Sequence, residues 1–264
     1  EVPSDAPAFF KARNADEDQA LVAHHAADGV DLLKTYTNVS VAAYGALAAE
    51  ASRHGLLVAG HLPVRVPLGM AIAAGQHSVE HPRVFLFECY RGAAGFRALP
   101  DPMAAYTADM RLRFIDEHDP VRCAELMTAM AASDTWWTPT LQVLRMSALA
   151  GNREFREDPR RRYIPFVLWA GLWQPDADRA VAHSRHASGR DVDAELYRLA
   201  MDNVRQAHEA GVRIVAGTDA GDTYVFPGFA IHDELAELVR AGLAPTDALR
   251  SATIDAARFS GKDG

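Results

Sequence analysis

VAGHLPVRVPLGMAIAAGQHSVEH, residues Val58–His81, decides how the chain is read. Two short β-prone runs, LLVAGH and HSVEH, each end on a histidine, His61 and His81, and the small-residue segment between them predicts a helix. A strand that stops on His61, a crossover, and a strand that stops on His81 make one βαβ unit. In parallel α/β folds chemistry gathers at the carboxyl ends of strands, where loops supply groups and the sheet supplies rigidity. Two imidazoles at neighbouring strand ends can therefore address one metal ion although they lie far apart in sequence.

Outward from this unit the chain repeats a helix–glycine–strand rhythm. Upstream, Asn14–Asp28 predicts an amphipathic helix capped near Asn14, and Val30–Lys34 predicts a strand. Ser40 caps the helix expected over Val41–His54, and Gly55 stops it before the strand Leu57–His61. A helix near Pro67–Ala74 and the strand His77–His81 follow. Phe85–Ser133 loses the rhythm, with helical patterns over Met103–Glu117 and Pro120–Ala132, and is expected to pass over the mouth of the sheet. Thr135–Thr140 reads as a strand with little polar chemistry. Leu141–Asp191 is irregular and aromatic, its Tyr163, Trp169 and Trp173 serving packing or a pocket wall. The rhythm resumes with a helix over Glu195–Ala210 and a strand over Val212–Ala216 that runs into Gly217-Thr218-Asp219-Ala220-Gly221. Helices over Phe229–Ala241 and Pro245–Phe259 close the chain.

Composition narrows the function. With 264 residues, 49% hydrophobic and 23% charged, the chain can bury a large α/β core. A net charge of −8 with no basic stripe argues against nucleic acid as partner. No apolar run approaches the ~20 residues of a membrane span. The two cysteines, Cys89 and Cys123, suit neither a disulfide framework nor a thiolate zinc site, and are expected to be buried small hydrophobes. The chain opens without Met on a Pro-containing segment, Glu1–Pro7, and reads as the interior of a longer protein, so its compartment stays open.

Four predicted strand ends carry polar groups in order: Lys34, His61, His81 and Asp219. Of the other histidines, His24, His25, His54, His118, His183, His186 and His208 are expected at the surface, and His77 opens the strand that His81 closes. Glu80 precedes His81, so strand alternation turns it to the opposite face and makes it structural.

The segments DLLKTY, VAGHLP, SVEH and VAGTDAG, followed by PGFAIHDELAELVRAGLAPTDALRSATIDAARFSG, resemble the metal-dependent amidohydrolase superfamily, in particular its imidazolonepropionase-like and dipeptidase-like members. The resemblance runs from about Asp16 to Gly261. It implies a (β/α)8 barrel of which residues 1–264 supply strands four to eight, with long irregular insertions and without the family's small β-sandwich. It also implies a hydrolase of carbon–nitrogen bonds, in which a metal-activated hydroxide attacks the amide of a small molecule or dipeptide. By position, Lys34 corresponds to a carboxylated lysine bridging two divalent ions, expected to be zinc. His61 and His81 correspond to ligands of the more exposed ion, and Asp219 to a ligand of the buried ion and the general base. Tyr36 is placed to contact substrate or polarise its carbonyl, and His232 to stand behind the ligands.

One departure is plain. The family's first barrel strand ends in His-x-His, and this sequence contains no His-x-His. The expectation is therefore a chain resembling the C-terminal two-thirds of such an enzyme, with open sheet edges that favour association into oligomers. Two other readings stay open: a degenerate barrel that binds metal or a partner without turnover, and a lyase using Lys34 as a Schiff base.

Overall fold

The computed structural model describes residues 15–262; the cap expected at Asn14 lies outside the described residues. The first helix, Ala15–Ala27, has Asp16, Glu17 and Asp18 in its first turn and His24 and His25 in its last, the charge order its dipole favours. Strand β1, Leu32–Thr35, follows. Ser40 then caps the Val41–Arg53 helix by accepting the Ala43 N–H at 3.2 Å. Strand β2, Leu57–Gly60, a short helix Leu68–Ala73 and strand β3, Ser78–Glu80, complete the unit predicted around the two histidines.

β1 and β2 pair in parallel with Lys34 opposite Ala59, and β3 pairs in parallel with β4, Trp136–Thr138, with Glu80 opposite Thr138. The pairs are joined by a parallel bridge between His61 and Glu80 and by the His77 N–H donating to the Val58 carbonyl at 2.7 Å. Beyond β4, Ile214 bridges Trp137 in parallel. The strands therefore lie side by side in chain order, and all carboxyl ends face one way. Val212–Ala216, expected as a full strand, makes only that single bridge among the described residues. Its neighbours on the other side are helical, since the Ala216 N–H donates to Ser251 O at 3.1 Å.

The segment expected to wander over the mouth is instead a large part of the main core. Phe85, Leu86, Tyr90, Phe96, Phe114, Met127 and Met130 pack in one buried cluster with Val79, Trp137, Leu196 and Val204. Its helices are shorter than their sequence patterns. Thr107 caps Ala108–Asp116, and Asp119 caps Pro120–Ala131 by accepting the N–H groups of Val121 and Arg122. Cys89 and Cys123 are fully buried as expected, but they form a disulfide. The reason is tertiary. Cys89 caps the Arg83–Glu88 helix, Cys123 lies in the first turns of Pro120–Ala131, and packing of the two helices sets their Cα atoms 4.7 Å apart. The 34-residue closed loop is worth roughly 3–4 kcal/mol of chain entropy. His118, expected at the surface, is half-buried beside this bridge.

The second irregular stretch forms a smaller core in which Trp173 packs on Tyr224 and Phe226, while Tyr163 is exposed and stacks on Phe229. The Val192–Glu209 helix spans the back of the main core. At the C-terminal end the expected single helix is two, Pro245–Ser251 and Ile254–Phe259, broken at Ala252-Thr253.

Candidate metal centre

The carboxyl ends of β1, β2, β3 and β4 bring the candidate ligands together. At the end of β2, Gly60 has φ +111°, and a Cβ there would meet the Thr35 carbonyl oxygen at 2.6 Å and Lys34 Cγ at 2.8 Å. Only glycine lets β1 and β2 approach this closely just before His61. The His61 N–H then donates to Thr35 O at 3.1 Å, and the Thr35 hydroxyl donates to the His61 carbonyl at 2.8 Å.

His81 is held differently. Its φ is +73°, left-handed for a non-glycine residue. The strain is fixed at both ends of the residue: the His81 N–H donates to Thr138 O at 2.8 Å, and the Trp137 indole N–H donates to the His81 carbonyl at 3.0 Å. This turn overturns the reading of Glu80. Alternation applies to extended backbone; once His81 leaves the strand left-handed, its side chain comes back to the side occupied by Glu80. The ligand atoms of His61, Glu80 and His81 all lie within 4.8 Å of one another.

The two imidazoles meet through their Nε2 atoms, 2.7 Å apart, with the rings edge-on at 77°. Each Nδ1 is engaged by a threonine hydroxyl, His61 by Thr37 at 2.8 Å and His81 by Thr140 at 2.8 Å. An Nδ1–H donated to the hydroxyl would leave Nε2 for an ion, as in a metal-ligating histidine; without one, the 2.7 Å contact has one Nε2–H donating to the other Nε2. Tyr36 stacks on His61 at 4.2 Å and braces its outer face. Burial, with the Arg83 and Lys34 charges, pushes His61 down to about 3. Burial, then His61 itself, Arg83 and Lys34 push His81 down to about 2. Both rings are neutral at physiological pH, as ligands must be.

Thr140 has its own support. It is left-handed (φ +45°) and stands at the N-terminus of the Leu141–Leu149 helix, but its hydroxyl faces His81 rather than capping that helix. The exposed helix N–H groups go to the buried Glu234 carboxylate, Leu141 at 2.8 Å and Gln142 at 3.1 Å. Burial outweighs these bonds and raises the Glu234 carboxyl to about 8. Neither Thr37 nor Thr140 was distinguishable in sequence from the many hydroxyl residues that follow strands. Their placement two residues past a strand end is the signal that could have found them.

The remaining predicted residues are only partly assembled. Lys34 is at the same mouth, with Nζ 2.9 Å from Glu80 Oε2. Asp219 is exposed, left-handed (φ +57°) and outside the His61–Glu80–His81 cluster. His232 is exposed on the first turn of the Ala230–Ala241 helix and takes no part in the contacts that hold the imidazole pair. A small pocket, about 30 Å³, opens onto the pair, lined also by Leu62, Val64, Val66, Arg83 and Phe87.

The donor set fits a divalent ion: two neutral imidazoles with converging Nε2 atoms, a carboxylate beside them, and hydroxyls behind. The sequence profile of the amidohydrolase family matches residues 34–264. Among solved structures, bottromycin amidohydrolase superposes with a TM-score of 0.73 at 27% identity, over 100% of this chain and 53% of its own. A Xaa-Pro dipeptidase solved with bound methionine shares the fold, with a TM-score of 0.52 at 20% identity over 99% of this chain and 53% of its own. An uncharacterised protein of Mycobacterium tuberculosis is 43% identical over 70 residues, 26% of this chain and 18% of its own. The chain thus spans about half the length of the solved structures it matches.

Proposed function

The chain belongs to the amidohydrolase family, and on that premise we propose that it is a metal-dependent hydrolase of carbon–nitrogen bonds, acting on the amide of a small molecule or dipeptide. The observation that carries this reading is the convergence of His61 Nε2 and His81 Nε2, each ring oriented from behind by a threonine. The four strands and the Ile214 bridge, in chain order, support reading the sheet as the last five strands of a (β/α)8 barrel, with residues 1–264 as one barrel-forming domain.

His61 and His81 would hold one divalent ion, for which zinc suits the nitrogen donors. Such an ion supplies Lewis acidity and lowers the pKa of water from ~15.7 to ~7, so that a nucleophile is available at neutral pH. Lys34 Nζ would take up carbon dioxide as a carbamate, releasing a proton, and so supply a bridge to a second ion; this requires it to leave its ion pair with Glu80. Asp219 would receive a proton on its carboxylate from the attacking water and pass it to the leaving nitrogen. Tyr36, in contact with His61, would bring its hydroxyl toward the substrate carbonyl, and His232 would support the ligand shell from the last helix pair.

The placement of Asp219 outside the imidazole cluster favours a second reading, metal binding without turnover. One experiment separates them. The purified chain is stripped with chelator, assayed on a panel of N-acyl amino acids and dipeptides, and reloaded with zinc. Activity lost on stripping and restored by zinc supports the hydrolase. Stoichiometric zinc binding with no turnover supports the second reading, and undiminished activity after complete metal removal overturns both.

A further inference from the structure

We propose that in the reduced protein Cys89, Cys123 and His118 hold a zinc ion, a structural site separate from the imidazole pair, and that the disulfide is its oxidised counterpart. The inference does not depend on the hydrolase reading. Two cysteines alone make no zinc site; His118 adds the third donor. One ligand atom from each of Cys89, His118 and Cys123 lies within 4.8 Å of the other two. The His118 Nδ1 is buried and has no hydrogen-bond partner among the described residues. Asn203 gives a second, independent sign. Its side chain is fully buried on the Val192–Glu209 helix, its Nδ2 has no partner among the described residues, and its Oδ1 lies 3.8 Å from Cys123 Sγ. A disulfide sulfur has no proton to donate, so in the oxidised form that contact is not a hydrogen bond, and a costly unpaired carboxamide faces the sulfur.

Around a tetrahedral zinc ion a thiolate sulfur and a ligand oxygen stand about 3.6 Å apart, and two thiolates about 3.8 Å apart. The Asn203 oxygen is thus at ligand spacing from Cys123, and the sulfurs need only separate once the bond between them is cut. The backbone gathers the donors without that bond. The Asp119 N–H donates to Cys89 O at 2.8 Å, the Arg91 N–H donates to Glu117 O at 3.0 Å, and Tyr90 and His118 face each other in an antiparallel bridge. The Cys123 N–H in turn donates to Asp119 O at 2.9 Å. Two thiolates cancel the charge of the ion and a neutral imidazole adds none, so the filled site puts no net charge into the core. The exchange balances. A dithiol gives two electrons and two protons to the S–S bond and itself becomes a disulfide; the two thiols then release those protons as zinc binds. Oxidation by a disulfide takes the two electrons back, re-forms the S–S bond and frees the ion.

The full chain, oxidised and after reduction with a water-soluble phosphine, tests this by zinc counting. In the oxidised form the sulfurs are bonded to each other and cannot ligate, so the difference between the two forms reads the new site alone. Reduction is expected to add one zinc per chain. Cobalt in its place should give a thiolate-to-cobalt charge-transfer band that the oxidised protein lacks. His118→Gln, which keeps both cysteines, should weaken binding of the added ion by on the order of 100-fold. If reduction unfolds the metal-free chain, zinc should refold it, read by circular dichroism. No added zinc, a fold that zinc does not restore, or a cobalt complex without the charge-transfer band each overturns the inference. An added ion that His118→Gln binds as tightly as the wild-type protein overturns it as well.

Discussion

Strand β3 carries a histidine just beyond each end, and the two have opposite fates. At the amino end, His77 stacks on Phe259 at 4.6 Å and its Nε2 meets the Phe259 carbonyl at 2.8 Å. That ring has one nitrogen spent on a neighbour and one face covered, and it ties the last helix to the sheet. At the carboxyl end, His81 is 6% exposed, its Nδ1 is spent on Thr140, and its Nε2 points at the Nε2 of another histidine. The histidine proposed to bind metal therefore differs from the structural one in where its second ring nitrogen is aimed. Residue type and proximity to a strand end are common to both.

The sharpest contrast comes from truncating each ring. His81→Ala is expected to abolish zinc binding at the pair and all zinc-dependent activity, read by metal stoichiometry and by turnover. His77→Ala should leave the stoichiometry untouched. If His81→Ala retains a full complement of zinc, the imidazole pair is not the metal centre.

A subtler change leaves both imidazoles in place. Thr140→Val keeps the shape of residue 140 and removes the hydroxyl partner of His81 Nδ1, so zinc affinity should fall by roughly 10- to 100-fold. A competition titration with a chromophoric chelator reads this, and an unchanged affinity would show that Thr140 is only packing.

Further back stands Glu234, and here the effect is on pH dependence. Its carboxyl rises from an ordinary value of 4.5 to about 8 in the fold. Between those values the unfolded chain has lost the proton that the folded chain keeps, so rising pH favours unfolding; the contribution is complete below 4.5 and lost as pH passes 8. Glu234→Gln cannot titrate and should flatten the decline in melting temperature across that window. A decline of the same slope in the variant would assign it to other groups.

The smallest effect is the one at the amino end. His77→Ala removes a single partly buried hydrogen bond and a stacked contact, and should lower stability by about 1 kcal/mol in urea titration. A much larger loss would mean that the Phe259 contact anchors more of the C-terminal helices than its geometry suggests.

The same contrast explains what could be read from the sequence. The helix–glycine–strand rhythm located β1, β2 and β3 to within a residue or two because short parallel strands leave local marks: a short run with Leu or Val, a glycine upstream of it and a polar residue after it. Histidines at two successive strand ends were legible for the same reason. Glu80 was not, because its facing depends on the backbone of the next residue, and nothing in Val-Glu-His announces a left-handed turn. The disulfide was hidden because Cys89 and Cys123 meet only through the packing of two helices. The last strand was over-read: Val212–Ala216 has the composition of a strand, but only Ile214 finds a strand partner. Asp219 shows the limit most clearly. Its position in order along the chain was plain, while its distance from the imidazoles depends on the coil from Gly217 to Val225, which composition does not encode.

The left-handed backbone at His81 also limits how this mouth could be redesigned. Holding an ordinary side chain there costs on the order of 1–3 kcal/mol, a strain that Asn tolerates better and Gly avoids. A saturation library at residue 81, sorted on folding alone, should therefore enrich His81→Gly and His81→Asn over the parent. β-branched replacements should be depleted first. A sort on folding followed by zinc would then separate the backbone's preference from the ion's, and only the second step has reason to keep a histidine.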